Sequence, residues 1–116
     1  TLVIGASLKP NRYSNIAIHR LVLHKHSVVA IGLREGEVAG VAISGEKKQF
    51  EGIDTVTLYL NPKRQEAYYE YIIGLSPKRV LFNPGTENPE FYELLHENGI
   101  ETEIACTLVL LSTQQY

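Results

Sequence analysis

The sequence predicts a single α/β domain over residues 1–116, with a mainly parallel five-stranded sheet and helices on both faces. Three observations predict it. Short, continuous apolar runs alternate with helical patterns along the whole chain, as strands buried on both faces do when crossover helices connect them. Two helical patterns open with asparagine followed by proline, Asn61-Pro62 and Asn88-Pro89. There a side-chain cap precedes a first position that needs no amide. No linker, repeat or low-complexity stretch divides the 116 residues, a common length for one domain. Alternation of this kind calls for right-handed crossovers and a parallel sheet.

Leu2–Gly5 reads as the first strand, apolar throughout and closed by glycine. Ser14 is a good cap, and a helix is expected from there to about Lys25, with Ala17, Ile18, Leu21 and Val22 on one side. Val28–Ile31 reads as the second strand. The segment from Gly32 to Ile53 is the least regular, with five glycines. It offers a short strand at Val41–Ile43 and one helical turn at Glu46–Phe50. Thr55–Leu60 is the third principal strand. The helix opened by Asn61-Pro62 is expected to run to about Ile73 and stop at Gly74. Arg79–Phe82 is the fourth strand, ending in Asn83-Pro84-Gly85. The helix after Asn88-Pro89 stops at Asn98-Gly99, Thr102–Ala105 is the fifth strand, and Cys106–Thr113 forms a last short helix. Ligands on such sheets bind beyond the carboxyl ends of the strands, where strand order reverses. The loops of interest are therefore Ala6–Tyr13, Gly32–Gly40, Asn61-Pro62 and Asn83–Asn88.

With 44% hydrophobic residues the chain can bury a core, so disorder is not expected. No apolar run approaches the ~18 residues of a membrane span. Lys9, Pro10 and Arg12 interrupt the apolar start, unlike a cleavable signal. The single cysteine, Cys106, fits a reducing cytoplasm. The net charge of −2 conceals an asymmetry. Residues 1–34 carry Lys9, Arg12, Arg20, Lys25 and Arg34 and no acid, whereas the remainder holds all 13 acidic residues. A basic first third on a mildly acidic chain suggests a local anion site. Nucleic acid is not expected, because the net charge is negative and no basic stripe carries aromatics.

The chemistry concentrates in the first turn. After Gly5, Ala6 and Ser7 are small enough for a ligand to approach the backbone. Ser7 and Ser14 offer hydroxyls, Lys9 adds charge, and Arg12 can fork onto a phosphate. Amides at the start of the helix add partial positive charge. The three-glycine dinucleotide fingerprint is incomplete, since the next glycine is Gly32. The second strand runs into Leu33-Arg34. An acid there suits the ribose of NAD, whereas an arginine suits a phosphorylated ribose, as in coenzyme A or NADP. A register shift of one would put Glu35 in that position instead. A P-loop, a Ser-His-Asp order and a carboxylate pair are all missing from the sequence, and no catalytic residue is assigned. His19 and His24 lie five apart, not the four of a helical metal pair, so no metal site is expected. Cys106 reads as a small buried hydrophobe, Tyr68, Tyr69 and Tyr71 as helix packing, and Glu90, Glu93 and Glu97 as a solvated face.

Gly5-Ala6-Ser7 with Pro10, Arg12 and Ser14 resembles the G-A-S-x-x-P-x-R-x-S opening of small stand-alone CoA-binding proteins. Their domain is related to the nucleotide-binding domain of the succinyl-CoA synthetase alpha subunit. The resemblance extends through Gly52-Ile53-Asp54-Thr55-Val56 and Asn83-Pro84-Gly85 to Cys106. It implies a Rossmann-like fold with CoA or an acyl-CoA in the cleft over Gly5. By resemblance, Gly5, Ala6, Ser7, Arg12 and Ser14 form the phosphate loop, and Lys9 and Pro10 between them are counted among the cofactor-binding residues. Arg34 lies near the adenosine phosphate, where relatives often carry a Pro-Lys pair. Leu60, Asn61 and Pro62 border the adenine or pantetheine, and Pro84 and Gly85 form the far wall. The synthetase's phosphorylated histidine belongs to another domain, so ligase activity is not implied. Two alternatives from other functional classes are an NADP-dependent oxidoreductase on a degenerate fold and an interaction module with a vestigial cleft. The partner of such a module is not identified.

Overall fold

Strand β1, Leu2–Ala6, alternates its side chains between two cores until Gly5 interrupts the phase. Leu2 and Ile4 enter one apolar cluster and Val3 the other, yet Ala6 joins Val3 rather than Ile4. The cause is a bulge: against the neighbouring strand, Ile4 pairs with Ile31 but Ala6 pairs with Gly32, leaving Gly5 unpaired. At φ +94 Gly5 takes a backbone conformation closed to most side chains.

The computed structural model describes residues 1–116. Helix α1 (Tyr13–Leu23) follows β1, then β2 (Val29–Gly32), β3 (Gly36–Val38), β4 (Val41–Ser44) and β5 (Thr55–Leu58). Next come α2 (Pro62–Gln65), a 3-10 turn (Glu66–Tyr68) and α3 (Tyr69–Leu75). β6 (Arg79–Phe82), α4 (Pro89–Glu97), β7 (Glu101–Ile104) and α5 (Thr107–Ser112) complete the chain. The sheet has seven strands in the order β3-β4-β2-β1-β5-β6-β7. All neighbours are parallel except β3, which turns back antiparallel on β4. The three-layer α/β class is as expected; the strand count is not five, because the irregular Gly32–Ile53 segment contributes a hairpin and so an edge.

One face of the sheet carries Leu2, Ile4, Ile31, Val56, Leu58, Val80 and Phe82 against Ile72 of α3 and Phe91 and Leu95 of α4. The other carries Val3, Ala6, Ala30 and Ile43 against Ile18 and Leu21 of α1 and Leu111 of α5. Both faces are therefore covered, which explains why the central strands are apolar without alternation.

Four local expectations need correction. Ser14 is not the helix cap; Arg12 holds that position with extended backbone and no side-chain cap bond, and Ser14 is buried inside the first turn. The helix after Asn61 is broken into two by the 3-10 turn and passes through Gly74 to end at Ser76, whose φ of 50 supplies the left-handed turn. Glu46–Phe50 forms no helical turn. Cys106 is only partly buried and stands at the N-cap of α5.

Candidate functional site

The chain leaves β1 for β2 on one side and later returns to β5 on the other, so strand order reverses at β1. The carboxyl ends of β1, β2, β5 and β6 meet around a cavity of about 660 Å³, within the range of small-molecule sites. Its floor is a close approach of backbones. A Cβ on Gly5 would stand 3.0 Å from the carbonyl carbon of Tyr59, and one on Gly32 only 2.3 Å from the Ala6 carbonyl oxygen. Glycine at both positions lets three strand ends converge with main chain facing the cavity.

The β1–α1 loop is held from within. Asn15, buried on α1, donates to the Ser7 carbonyl at 2.9 Å; the Lys9 amide reaches the Ser7 hydroxyl at 3.1 Å, and the Arg12 amide reaches the Lys9 carbonyl at 3.1 Å. No side chain caps α1 and no acid lies in its first turn. Its leading amides are thus left for a partner from outside the helix, at the positive end of its dipole.

The opposite wall is fixed by a buried amide network. Gln65 donates to the carbonyls of Leu60 and Thr86, both at 2.8 Å, and accepts from Asn88 at 3.0 Å. Asn83 donates to the Leu58 carbonyl at 2.9 Å and the Thr57 hydroxyl at 2.6 Å, and accepts from the Thr107 amide at 2.8 Å. The Thr86 hydroxyl donates to the Asn83 carbonyl at 2.7 Å. The loops after β5 and β6 are therefore tied to each other.

Eleven of the residues singled out in the sequence line the cavity: Gly5, Ala6, Ser7, Lys9, Arg12, Ser14, Arg34, Leu60, Asn61, Pro84 and Gly85. Pro10, exposed in the β1–α1 loop, and Pro62, exposed at the first position of α2, do not line it. Arg34 rather than Glu35 faces the space; the Glu35 carboxylate turns to the Gly45 amide at 3.5 Å. Leu8, Tyr13, Gly32, Leu33 and Thr86 fall within the loops singled out in the sequence but were given no individual role there, Tyr68 was read as helix packing, and Tyr59 and Arg64 were not considered; all line the cavity. The missed signal for Arg64 was its place in the first turn after Asn61-Pro62. For Leu8, Tyr13 and Leu33 it was apolar residues within loops, three of the seven large hydrophobics left exposed.

The electrostatics are one-sided. Lys9, Arg12, Arg34 and Arg64 line the cavity and no Asp or Glu does. None of the four takes part in either ion pair of the molecule, Lys78–Asp54 or Arg79–Glu103. The Glu87 carboxylate, outside the lining, accepts from the Gly85 amide at 2.8 Å. Like charges gathered without counter-charge make a focused attraction for an anion. Burial pushes the phenol of Tyr59, at the floor, up to about 12. Its hydroxyl has no hydrogen-bond partner. The nearby Thr57 and Thr107 hydroxyls are engaged with each other at 2.8 Å. No three His, Cys, Asp or Glu side chains gather where a metal could be held.

Comparison with known proteins follows this geometry. A family model described as a CoA binding domain matches residues 1–112. No curated protein matches the chain. A crystal structure of an uncharacterized protein is 51% identical with a TM-score of 0.96, covering 99% of this chain and 95% of that one. A hypothetical protein from Pyrococcus horikoshii OT3 is 26% identical with a TM-score of 0.87, covering 98% and 81%. A protein from Thermus thermophilus, 20% identical with a TM-score of 0.88 over 99% and 88%, shares the fold.

Proposed function

This chain belongs to the CoA binding domain family, and from that premise we propose that it is a cytoplasmic binding protein for coenzyme A or an acyl-CoA, acting by recognition and without catalysis of its own. The observation that carries the reading is a cavity at the strand-order reversal with four unpaired cations and no carboxylate in its lining. The diphosphate lies against the β1–α1 loop, where Gly5 and Ala6 leave the backbone open and the uncapped start of α1 presents its amides. Arg12 forks onto it, with Lys9, Ser7 and Ser14 beside it. Arg34, at the end of β2, stands near the adenosine 3′-phosphate. Leu60 and Asn61 border the adenine or pantetheine, and Pro84 and Gly85 form the far wall.

The lining supports binding rather than turnover. Its tyrosine floor keeps its proton at neutral pH, and Cys106 lies outside the lining. A thermal-shift screen of CoA, acetyl-CoA, NAD, NADP and ATP tests the proposal. A ligand at a hundred times its Kd adds about 2.7 kcal/mol of stability, so CoA or acetyl-CoA should raise Tm by several degrees. A rise with NADP alone would favour an NADP-dependent enzyme. No rise with any of them would favour an interaction module with a vestigial cleft.

A further inference from the structure

The cavity has cations on both walls, and one of them, Arg64, has no part in the reading above. We infer that Arg64 is a further ligand-binding residue that grips the nucleotide diphosphate from the β5 side, opposite Arg12; the inference rests on the CoA reading of the cleft.

The loops carrying the two arginines flank one narrow backbone seam. The Tyr59 amide donates to the Ile4 carbonyl at 2.9 Å, immediately before the Gly5 bulge. Arg12 leads into α1 from one side of that seam and Arg64 belongs to α2 on the other. The base of Arg64 is rigid: its amide donates to Asn61 Oδ1 at 2.9 Å, and the next residue, Gln65, is fully buried and tied to Leu60 and Thr86. Its guanidinium makes no hydrogen bond and no ion pair, although it lines a space already holding three other cations. A fixed stem with a free guanidinium fits a doubly charged acceptor that both arginines can share. Arg34 follows β2, which is separated from β5 by β1. Adjacent strands stand about 4.8 Å apart, so the β2 and β5 ends are roughly 10 Å apart, and the two arginines address different phosphates.

This division is testable with CoA and dephospho-CoA, which share the diphosphate and differ in the 3′-phosphate. In calorimetric titrations, Arg64→Ala should weaken both ligands to a similar extent, by about tenfold to a hundredfold, as for a charged hydrogen bond. Arg64→Lys should recover part of the loss. Arg34→Ala should weaken CoA alone. Lys63→Ala, one residue away and outside the lining, should bind both ligands like the parent and so separates a direct contact from the general field. The inference is overturned if Arg64→Ala binds like the parent, loses affinity for CoA only, or is matched by Lys63→Ala. A parent protein that binds neither ligand would instead remove the CoA reading, and this inference with it. Arg64 is exposed, and its guanidinium makes no hydrogen bond or ion pair within the fold, so an unchanged melting temperature should accompany its loss.

Discussion

A methyl group on Gly32 would lie 2.3 Å from the Ala6 carbonyl oxygen, a backbone atom that cannot step aside. Gly32→Ala should therefore destabilise the protein by about 1–3 kcal/mol, as overpacking does, and widen the seam beneath the cavity; thermal denaturation would register it. Arg12 is exposed and unpaired, so Arg12→Ala should leave Tm unchanged while weakening CoA by about 1.5–3 kcal/mol, the worth of a charged hydrogen bond. Unchanged affinity in a titration would count against that contact. Tyr59 has the opposite character, with a buried hydroxyl that lacks a partner. Tyr59→Phe should cost nothing at neutral pH and could add up to ~1 kcal/mol. The pH dependence follows from burial. The unfolded phenol ionises near 10.0 and the folded one near 12, so the folded state holds the extra proton between them and stability falls as pH rises through that window. Tyr59→Phe should flatten this alkaline fall without abolishing it, because burial also raises the phenol of Tyr116. Equal slopes for parent and variant would refute the assignment.

Among the elements, the loops after β5 and β6 depend on Asn83, which serves Thr57, Leu58 and Thr107 at once. Asn83→Ala would leave the Thr107 amide and the Leu58 carbonyl short of partners inside the protein, at about 1–3 kcal/mol for each orphaned group. It should lower Tm and also weaken the ligand, since Pro84, Gly85 and Thr86 lose their anchor; faster hydrogen exchange at the Thr107 amide would locate the loss. Elements with strong periodic or capping signals were legible before the structure. Asn61 and Asn88 cap as expected, each side chain accepting from the amide three residues on. Of the β3–β4 hairpin, β4 was legible as the short strand at Val41–Ile43, but β3 was not, because a three-residue strand with only Val38 buried has too short an apolar pattern to read. Gly74 misled because a glycine ends a helix only when it takes the left-handed turn, and here Ser76 takes it, just before Pro77. Ser14 misled because a serine inside the first turn and a serine at the cap look alike in sequence; Arg12 became the cap because the Ser7–Lys9 turn brings the chain in there.

For the whole molecule, the charge asymmetry becomes spatial. The basic first third folds into the loops of β1 and β2, α2 adds Arg64 from a distant stretch, and the cavity collects four cations on a chain of net charge −2. Only the place of Arg64 in the first turn after Asn61-Pro62 signalled that it joins them, and that this turn meets the β1 loop depends on β5 lying beside β1. That the β1–α1 loop lines the cavity was readable because glycine, small residues and cations follow one another there without a break. No helix is long and apolar enough to cross a membrane. The central claim is that the β1–α1 corner holds a diphosphate. A crystal structure of the protein soaked with CoA tests it most directly. The account predicts diphosphate density against Gly5–Ser7 with Arg12 in contact and the 3′-phosphate near Arg34. CoA density elsewhere, or an ordered cleft without it at saturating CoA, would contradict the account.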